Sequence, residues 1–121
     1  MPGLPIFEME TLAHHEALPG HHMQIAIAQE FKGLPRFRMY GGNTPYAEGR
    51  ALYSEFFPKE FGFYQDPYMD FGRFNDELLR AVRPIVDARI DVRKWTRAQV
   101  MDYFRANTHN PERNIMTETN R

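Results

Sequence analysis

The stretch Thr11-Leu-Ala-His-His-Glu-Ala-Leu-Pro-Gly-His-His-Met-Gln24 decides the fold, because the rest of the chain is organised around it. It places four histidines and one glutamate between residues 14 and 22, whereas the rest of the chain has one histidine, His109. Apolar residues flank this cluster on both sides. A polar group buried among apolar side chains needs a partner, and a metal ion is one such partner.

The pair His15-Glu16 resembles the start of the H-E-x-x-H helix, in which two histidines one turn apart hold zinc and the glutamate is the general base. Here Pro19 stands at the fifth position, and the next histidines are His21 and His22. In a regular helix, positions 15 and 21 are ~9 Å apart along the axis and ~240° apart around it. Two nitrogens on one tetrahedral zinc are only ~3–3.5 Å apart. A shared metal therefore requires an interrupted helix.

Pro19 and Gly20 supply this interruption. Pro19 has no N–H and its ring clashes with the carbonyl of His15, while Gly20 permits backbone conformations that other residues avoid. Two looped-out residues would return His21 to the place of the missing ligand. The alternative is a histidine-rich helix surface or a set of satisfied buried histidines. The cost of proline and glycine inside a helix, roughly 3 and 1 kcal/mol, favours a functional site.

A second helix is predicted from Thr44, as N-cap, with Pro45 at the first helical position. Glu48 and Glu55 on this helix are seven residues apart and lie within about 20° of the same face. Glu48 is in the first turn, where the helix dipole favours the ionised carboxylate that metals bind. A solvated helix face is the alternative for both residues. As a third ligand, Glu48 would complete the set begun by the histidines.

The composition limits the class of protein. The 121 residues have a net charge of −1, which gives no signal for binding nucleic acid. There are no cysteines, so any metal must be held by His, Asp or Glu. No apolar stretch reaches 18 residues, so the sequence predicts neither a membrane span nor membrane binding. No signal peptide is recognisable, so the sequence predicts a cytoplasmic location.

Helical periodicity continues after Asp66-Pro67, and the apolar positions form a stripe that predicts a buried helix face: Phe71, Phe74, Leu78, Val82, Ile85, Val86 and Ile90. Thr96 and Gln99 predict a capping box at the start of a further helix. Residues 108–121 are polar and aperiodic, and we expect them to be poorly ordered. The sequence thus predicts one all-α domain over residues 1–121, with four or five helices, the first interrupted at Pro19-Gly20.

Arg83 and the aromatic residues each allow two interpretations. Arg83 and Asp87 are four residues apart and predict a solvated ion pair, although Arg83 could also bind a substrate carboxylate. Aromatics make up 14% of the residues, which is high for a small domain. They predict a rich core or, alternatively, a surface that faces a missing domain or a second subunit.

Two stretches, His14–Gln24 and Tyr46-Ala-Glu-Gly-Arg-Ala-Leu-Tyr-Ser-Glu55, resemble the two signature motifs of the domain of unknown function family 885. This is a mainly bacterial, all-helical family of zinc-metallopeptidase type, similar to gluzincins. Two later stretches, Arg80–Asp87 and Trp95–Gln99, also resemble the family, so the similarity covers nearly the whole chain.

The resemblance implies roles for individual residues. His15, His21 and Glu48 would hold a zinc ion, and Glu16 would be the general base. Glu55 would orient one of the ligands. Three further residues are expected to support the ligands or to contact the substrate: His22, Tyr53 and Arg83.

The chain also departs from the family pattern. Arg50 stands where the family usually has Trp, and Arg89 and Asp91 stand where it usually has Gly and His. Family members are also much longer, so this chain resembles a truncated copy.

These observations lead to two hypotheses. The first is a zinc-dependent peptidase-like hydrolase that acts on a peptide or small amide. The second is a catalytically inactive remnant that binds metal, or a partner through exposed aromatics. In either case a homo-oligomer, or a missing domain supplied in trans, would complete the protein.

Overall fold

The computed structural model describes residues 5–120, and these residues are all-helical. The α-helices are α1 (Met9–Glu16), α2 (His21–Glu30), α3 (Arg36–Tyr40), α4 (Thr44–Phe56), α5 (Pro67–Arg93), α6 (Arg97–Asn107) and α7 (Glu112–Thr119). Two 3-10 helices, Ile6–Glu8 and Phe57–Phe61, precede α1 and follow α4. The all-α prediction is confirmed, and no strand occurs between residues 5 and 120.

The helices are more numerous than the four or five predicted. The interruption divides the first helix into α1 and α2, and α3 lies in a stretch without a periodic apolar pattern. The segment 108–121, for which the sequence predicts poor order, contains α7. This short helix is held because Ile115 is 2% exposed and belongs to the apolar core formed with α5 and α6.

Two helix starts test the capping predictions. Asn43, rather than Thr44, is the N-cap of α4, because its side chain accepts a hydrogen bond from the backbone N–H of Tyr46 (3.1 Å). At α6, the predicted capping box of Thr96 and Gln99 is present in both directions. The N-cap of α4 therefore lies one residue earlier than predicted.

The chain divides into two compact units, Met1–Arg73 and Phe74–Arg121, and α5 contributes its N-terminal end to the first. In the first unit, α1 packs against α4, and α2 packs against both α3 and α4. The side chains buried in this unit are largely polar: Glu8, Thr11, His15, Ser54, Glu55 and Arg73, together with Ala51, Pro58 and Tyr64. Two residues of the candidate site, His15 and Glu55, belong to this polar interior.

The second unit has an apolar core. It is formed by one face of α5, by α6 and by α7, and its buried members are Val82, Val86, Val100, Met101, Phe104 and Ile115. Leu79, Trp95 and Tyr103 pack around it. Burial of this kind supplies the main stabilising free energy of a small helical unit.

The predicted apolar stripe of α5 is buried only in part. Val82 and Val86 are in the core, but the other members remain exposed by 38–49%: Phe71, Phe74, Leu78, Ile85 and Ile90. Most aromatic side chains of the described chain are likewise exposed, and only Tyr64 and Phe104 are fully buried. The interpretation of the aromatics as a rich core is therefore wrong, because the described helices cover too little of this apolar surface.

Within residues 5–120, no helix is both long and apolar enough to cross a membrane.

Candidate metal centre

The turn between α1 and α2 brings the two helices of the first motif together. Helix α1 ends at Glu16, and α2 begins at His21 after a turn that contains Pro19 and Gly20. A Cβ atom at Gly20 would lie 1.8 Å from the backbone oxygen of His15 and 2.4 Å from that of His14. Only glycine fits this approach, so the predicted interruption at Pro19-Gly20 is confirmed and has a steric reason.

Three side chains converge beside this turn. The Nε2 atoms of His15 and His21 each lie 3.7 Å from a different carboxylate oxygen of Glu48. The two imidazole rings are nearly perpendicular, with centroids 4.8 Å apart. One ligand atom from each of the three residues lies within 4.8 Å of the others. The structure therefore brings together the three residues predicted to hold a metal.

The three donors fit a divalent transition metal such as zinc. Two imidazole nitrogens and one carboxylate oxygen form the donor set of many catalytic zinc sites. Donors on a tetrahedral zinc lie ~3.3 Å apart for bond lengths of about 2.0–2.1 Å. The two separations between a histidine nitrogen and Glu48, both 3.7 Å, exceed this value by a few tenths of an ångström. The Glu48 side chain is 59% exposed, so water can reach the site.

Glu55 holds His15 from behind. Its side chain is 1% exposed, and its Oε1 atom lies 2.5 Å from Nδ1 of His15. Because a carboxylate accepts hydrogen bonds, Nδ1 is the donor, so in the neutral ring Nε2 is the nitrogen with a lone pair for a metal. This arrangement selects the histidine tautomer that a metal requires, as carboxylate–histidine pairs do at known zinc sites.

Glu16 is the last residue of α1, directly after His15, and its side chain is exposed. An exposed carboxylate can receive a proton from water. The structure assigns it no hydrogen bond or ion pair among the described residues, and its role as general base stays a prediction.

Three other predicted site residues have surroundings of their own in the structure, and their roles at the site stay predictions. His22 is exposed and lies outside the group of converging ligands. The ring of Tyr53 contacts Phe57 instead, with centroids 5.7 Å apart. Arg83 belongs to the second unit, where its guanidinium donates two hydrogen bonds, of 2.6 and 2.7 Å, to the carboxylate of Glu118. These bonds raise the pKa of Arg83, and the predicted pairing with Asp87 is replaced by this one.

Tyr64 is a residue of the site that the sequence does not reveal. Its hydroxyl donates a hydrogen bond to the backbone oxygen of Glu55 (2.8 Å), and its N–H donates to Oε1 of Glu10 (2.9 Å). It has a left-handed backbone with φ of 59° and is 6% exposed. Burial, aided by the charges of Glu55 and Glu10, raises the pKa of its hydroxyl to about 12. Tyr64 thus fixes the end of α4 that carries Glu55.

Comparisons with known proteins place the chain among bacterial relatives. The family model described as "Bacterial protein of unknown function (DUF885)" matches residues 1–121. The crystal structure of a candidate lipoprotein from Colwellia psychrerythraea is similar over 95% of this chain, with 42% identity and a TM-score of 0.88. The chain spans only 20% of the length of that relative. No curated protein matches the chain.

The similarity to a lipoprotein contradicts the cytoplasmic location predicted from the sequence. The prediction failed because it depended only on the lack of a recognisable signal peptide, and the matched region of the relative is a fifth of its chain.

Proposed function

Since the chain belongs to the DUF885 family of bacterial proteins of unknown function, we propose that it carries the metal-binding part of a zinc-dependent peptidase-like hydrolase. One observation carries the proposal. His15, His21 and Glu48 converge from α1, α2 and α4, and the buried carboxylate of Glu55 lies behind His15. The solvated face of a helix does not need a buried carboxylate that fixes the tautomer of one histidine.

The chemistry divides between the metal and the protein. Zinc held by these residues would make a water molecule more acidic and would polarise a carbonyl group. His15 and His21 supply neutral nitrogen donors, and Glu48 supplies a negative charge that offsets part of the metal charge. Glu55 keeps the proton of His15 on Nδ1. Glu16 accepts a proton from the attacking water and then donates it to the leaving amine of a peptide or small amide.

Zinc binding is tested on the purified full chain by isothermal titration with zinc chloride. Wild type is expected to bind one zinc ion, and His15→Ala and His21→Ala are each expected to weaken binding by at least about a hundredfold through loss of a ligand. His22→Ala is the matched control, because His22 is a neighbouring exposed histidine outside the cluster. Equal affinity in wild type and in both ligand variants would exclude the site.

Catalysis is tested separately, by hydrolysis of a peptide library with the zinc-loaded chain. Glu16→Gln is expected to abolish turnover while it leaves zinc affinity unchanged, because the amide keeps the size of the side chain but cannot accept the proton. Turnover that survives in Glu16→Gln would exclude its role as general base.

The second candidate function is a metal-binding module without catalysis. It is supported by a departure from the family pattern, since Arg89 stands where the family usually has Gly. The guanidinium of Arg89 lies 5.0 Å from the centre of the Trp95 ring. It is also supported by the exposed aromatics described above. Zinc uptake without hydrolysis of any peptide would favour this function over the first.

A further inference from the structure

A cavity of about 470 Å³ lies in the first unit, and it does not include the three metal-binding residues. Its wall combines carboxylates with aromatic and other apolar side chains: Glu10, Asp66, Phe61, Phe63, Tyr64 and Met69. Its volume is within the range of small-molecule sites, about 300–1,000 Å³. The proposed hydrolase function makes no use of it.

The carboxylates of the cavity each keep one oxygen available. Oε1 of Glu10 accepts the N–H of Tyr64 (2.9 Å), and Oδ1 of Asp66 accepts the N–H of Tyr68 (2.8 Å). Within residues 5–120, the second oxygen of each carboxylate accepts no hydrogen bond. Both groups therefore have the capacity to bind a donor that enters from solvent.

No basic residue of the described chain lines this cavity. The nearby cations Lys59 and Arg73 form ion pairs with Asp70, on the first turns of α5. His14 lies next to Glu10, with Nε2 at 3.8 Å from Oε1, but its Nδ1 donates to the backbone oxygen of Leu18. The wall of the cavity thus contains two carboxylates and, among the described residues, no lysine or arginine.

The aromatic wall is suited to the same kind of ligand as the carboxylates. Phe61 and Phe63 are 66% and 52% exposed, so part of each ring is accessible to a ligand, although Phe61 also contacts the ring of Phe57 and Phe63 that of His14. The negative face of an aromatic ring attracts an ammonium or guanidinium group, by about 0.5–1 kcal/mol at an exposed site. A neutral ligand would gain contact with the rings but would leave both carboxylates unpaired.

We propose that this cavity binds an organic cation, with the charged nitrogen between Glu10 and Asp66 and its alkyl part against Phe61 and Phe63. A lysine side chain and the amino terminus of a peptide both carry this chemistry. The site is separate from the metal centre, and the cation binds whether or not zinc is bound.

The test is an NMR titration of the zinc-free, ¹⁵N-labelled full chain with butylammonium chloride, and with 1-butanol as the uncharged ligand of similar size. We expect butylammonium to shift the amide signals of residues 61–66 in a saturable way, and 1-butanol to bind at least about fivefold more weakly. Equal binding of the two ligands, or no saturable shift with butylammonium, would overturn the proposal.

Variants then identify the carboxylates. Glu10→Gln and Asp66→Asn each remove a charge, while the new amides can still accept the hydrogen bonds from Tyr64 and Tyr68. Each is expected to weaken butylammonium binding by roughly threefold to tenfold. Glu60→Gln, an exposed charge next to the cavity but not in its wall, is the control and should bind as wild type does. Equal losses in all three variants would mean that only net charge matters, and would refute the site.

Two further titrations distinguish the sources of the cation. Saturable binding of N-acetyl-lysine methylamide assigns the site to a lysine side chain, and saturable binding of glycinamide assigns it to an amino terminus. If neither binds, both sources named above are excluded and the proposal is overturned. Because no zinc is present, a negative result leaves the proposed hydrolase function untouched, and failure of zinc binding leaves this site untouched.

Discussion

The two compact units bury different kinds of side chain. The interior of the first contains Thr11, His15, Ser54 and Glu55, whereas the second buries mainly aliphatic residues, Met101 and Phe104, with two polar side chains, Asn75 and Thr108. Apolar burial stabilises a unit without regard to direction, but a buried carboxylate or imidazole is tolerated only with a partner in the correct geometry. The interior of the second unit is therefore determined mainly by the packing of apolar side chains. That of the first is determined mainly by hydrogen bonds, as expected for a unit that holds a ligand-binding site.

The largest expected effect tests the apolar unit. Phe104→Ala removes a side chain that is 1% exposed, and we expect the free energy of unfolding to fall by about 3–5 kcal/mol in urea denaturation. The matched control is Phe37→Ala, because Phe37 is 72% exposed and should change stability very little. Equal effects of the two substitutions would contradict the assignment of the core.

Glu55→Ala tests the polar unit. It leaves Nδ1 of the buried His15 without its acceptor, and we expect a loss of roughly 3 kcal/mol in the free energy of unfolding. Zinc affinity should fall by about 10–100-fold, because the imidazole is no longer oriented. Glu55→Gln keeps an acceptor oxygen and should retain much of both quantities. If the alanine and glutamine variants bind zinc as wild type does, Glu55 does not orient the ligand.

Gly20→Ala, compared with Gly49→Ala, tests whether the turn requires a glycine at position 20. The added methyl group would meet the backbone of His14 and His15, so we expect a loss of about 1–3 kcal/mol and weaker zinc binding. Gly49→Ala is the matched control, since a Cβ at that helical position meets nothing within 4 Å. It should be neutral, or stabilise α4 by about 0.5–1 kcal/mol. Thermal unfolding and zinc titration of both variants provide the measurement.

The smallest expected effect concerns Tyr64. Tyr64→Phe removes the hydrogen bond to the backbone oxygen of Glu55 and should cost about 1 kcal/mol at neutral pH. The raised pKa, about 12 against 10 in the unfolded chain, stabilises the fold by favouring the protonated hydroxyl. That contribution is present in full below pH 10. It is lost as the pH rises from 10 to 12, because ionisation of Tyr64 in the unfolded chain makes unfolding of wild type more favourable.

The difference in unfolding free energy between wild type and Tyr64→Phe should therefore vary over this range of pH and be constant from pH 7 to 9. Urea titrations at each pH would show it. A constant difference up to pH 12 would mean that Tyr64 does not titrate with a raised pKa.

Much of the candidate site could be predicted from sequence because its signals are local. Proline and glycine between His15 and His21 mark a break in a helix, and the spacing from Glu48 to Glu55 puts two carboxylates on one face. The same is true of the capping box at α6.

Other features depended on contacts that no local pattern encodes. Tyr64 joins Glu10, 54 residues earlier, to the end of α4, and no neighbouring residue marks it as different from the other aromatics. The spacing predicts a pair between Arg83 and Asp87, four residues away, but the fold supplies Glu118, 35 residues away. The apolar stripe of α5 indicated which face is apolar, but the extent to which it is covered depends on elements elsewhere in the chain.

The close approach of Gly20 to the carbonyl of His15 has a consequence for protein engineering. The direction of His21 is fixed by the contact of Gly20 with the backbone of His15, and the side chain of Glu48 comes from a different helix. A synthetic peptide of residues 14–24 would therefore contain every residue of the first motif but would lack the arrangement of the three ligands. Grafting the centre into another helical scaffold would require the turn, both flanking helices and the α4 segment that presents Glu48 and Glu55.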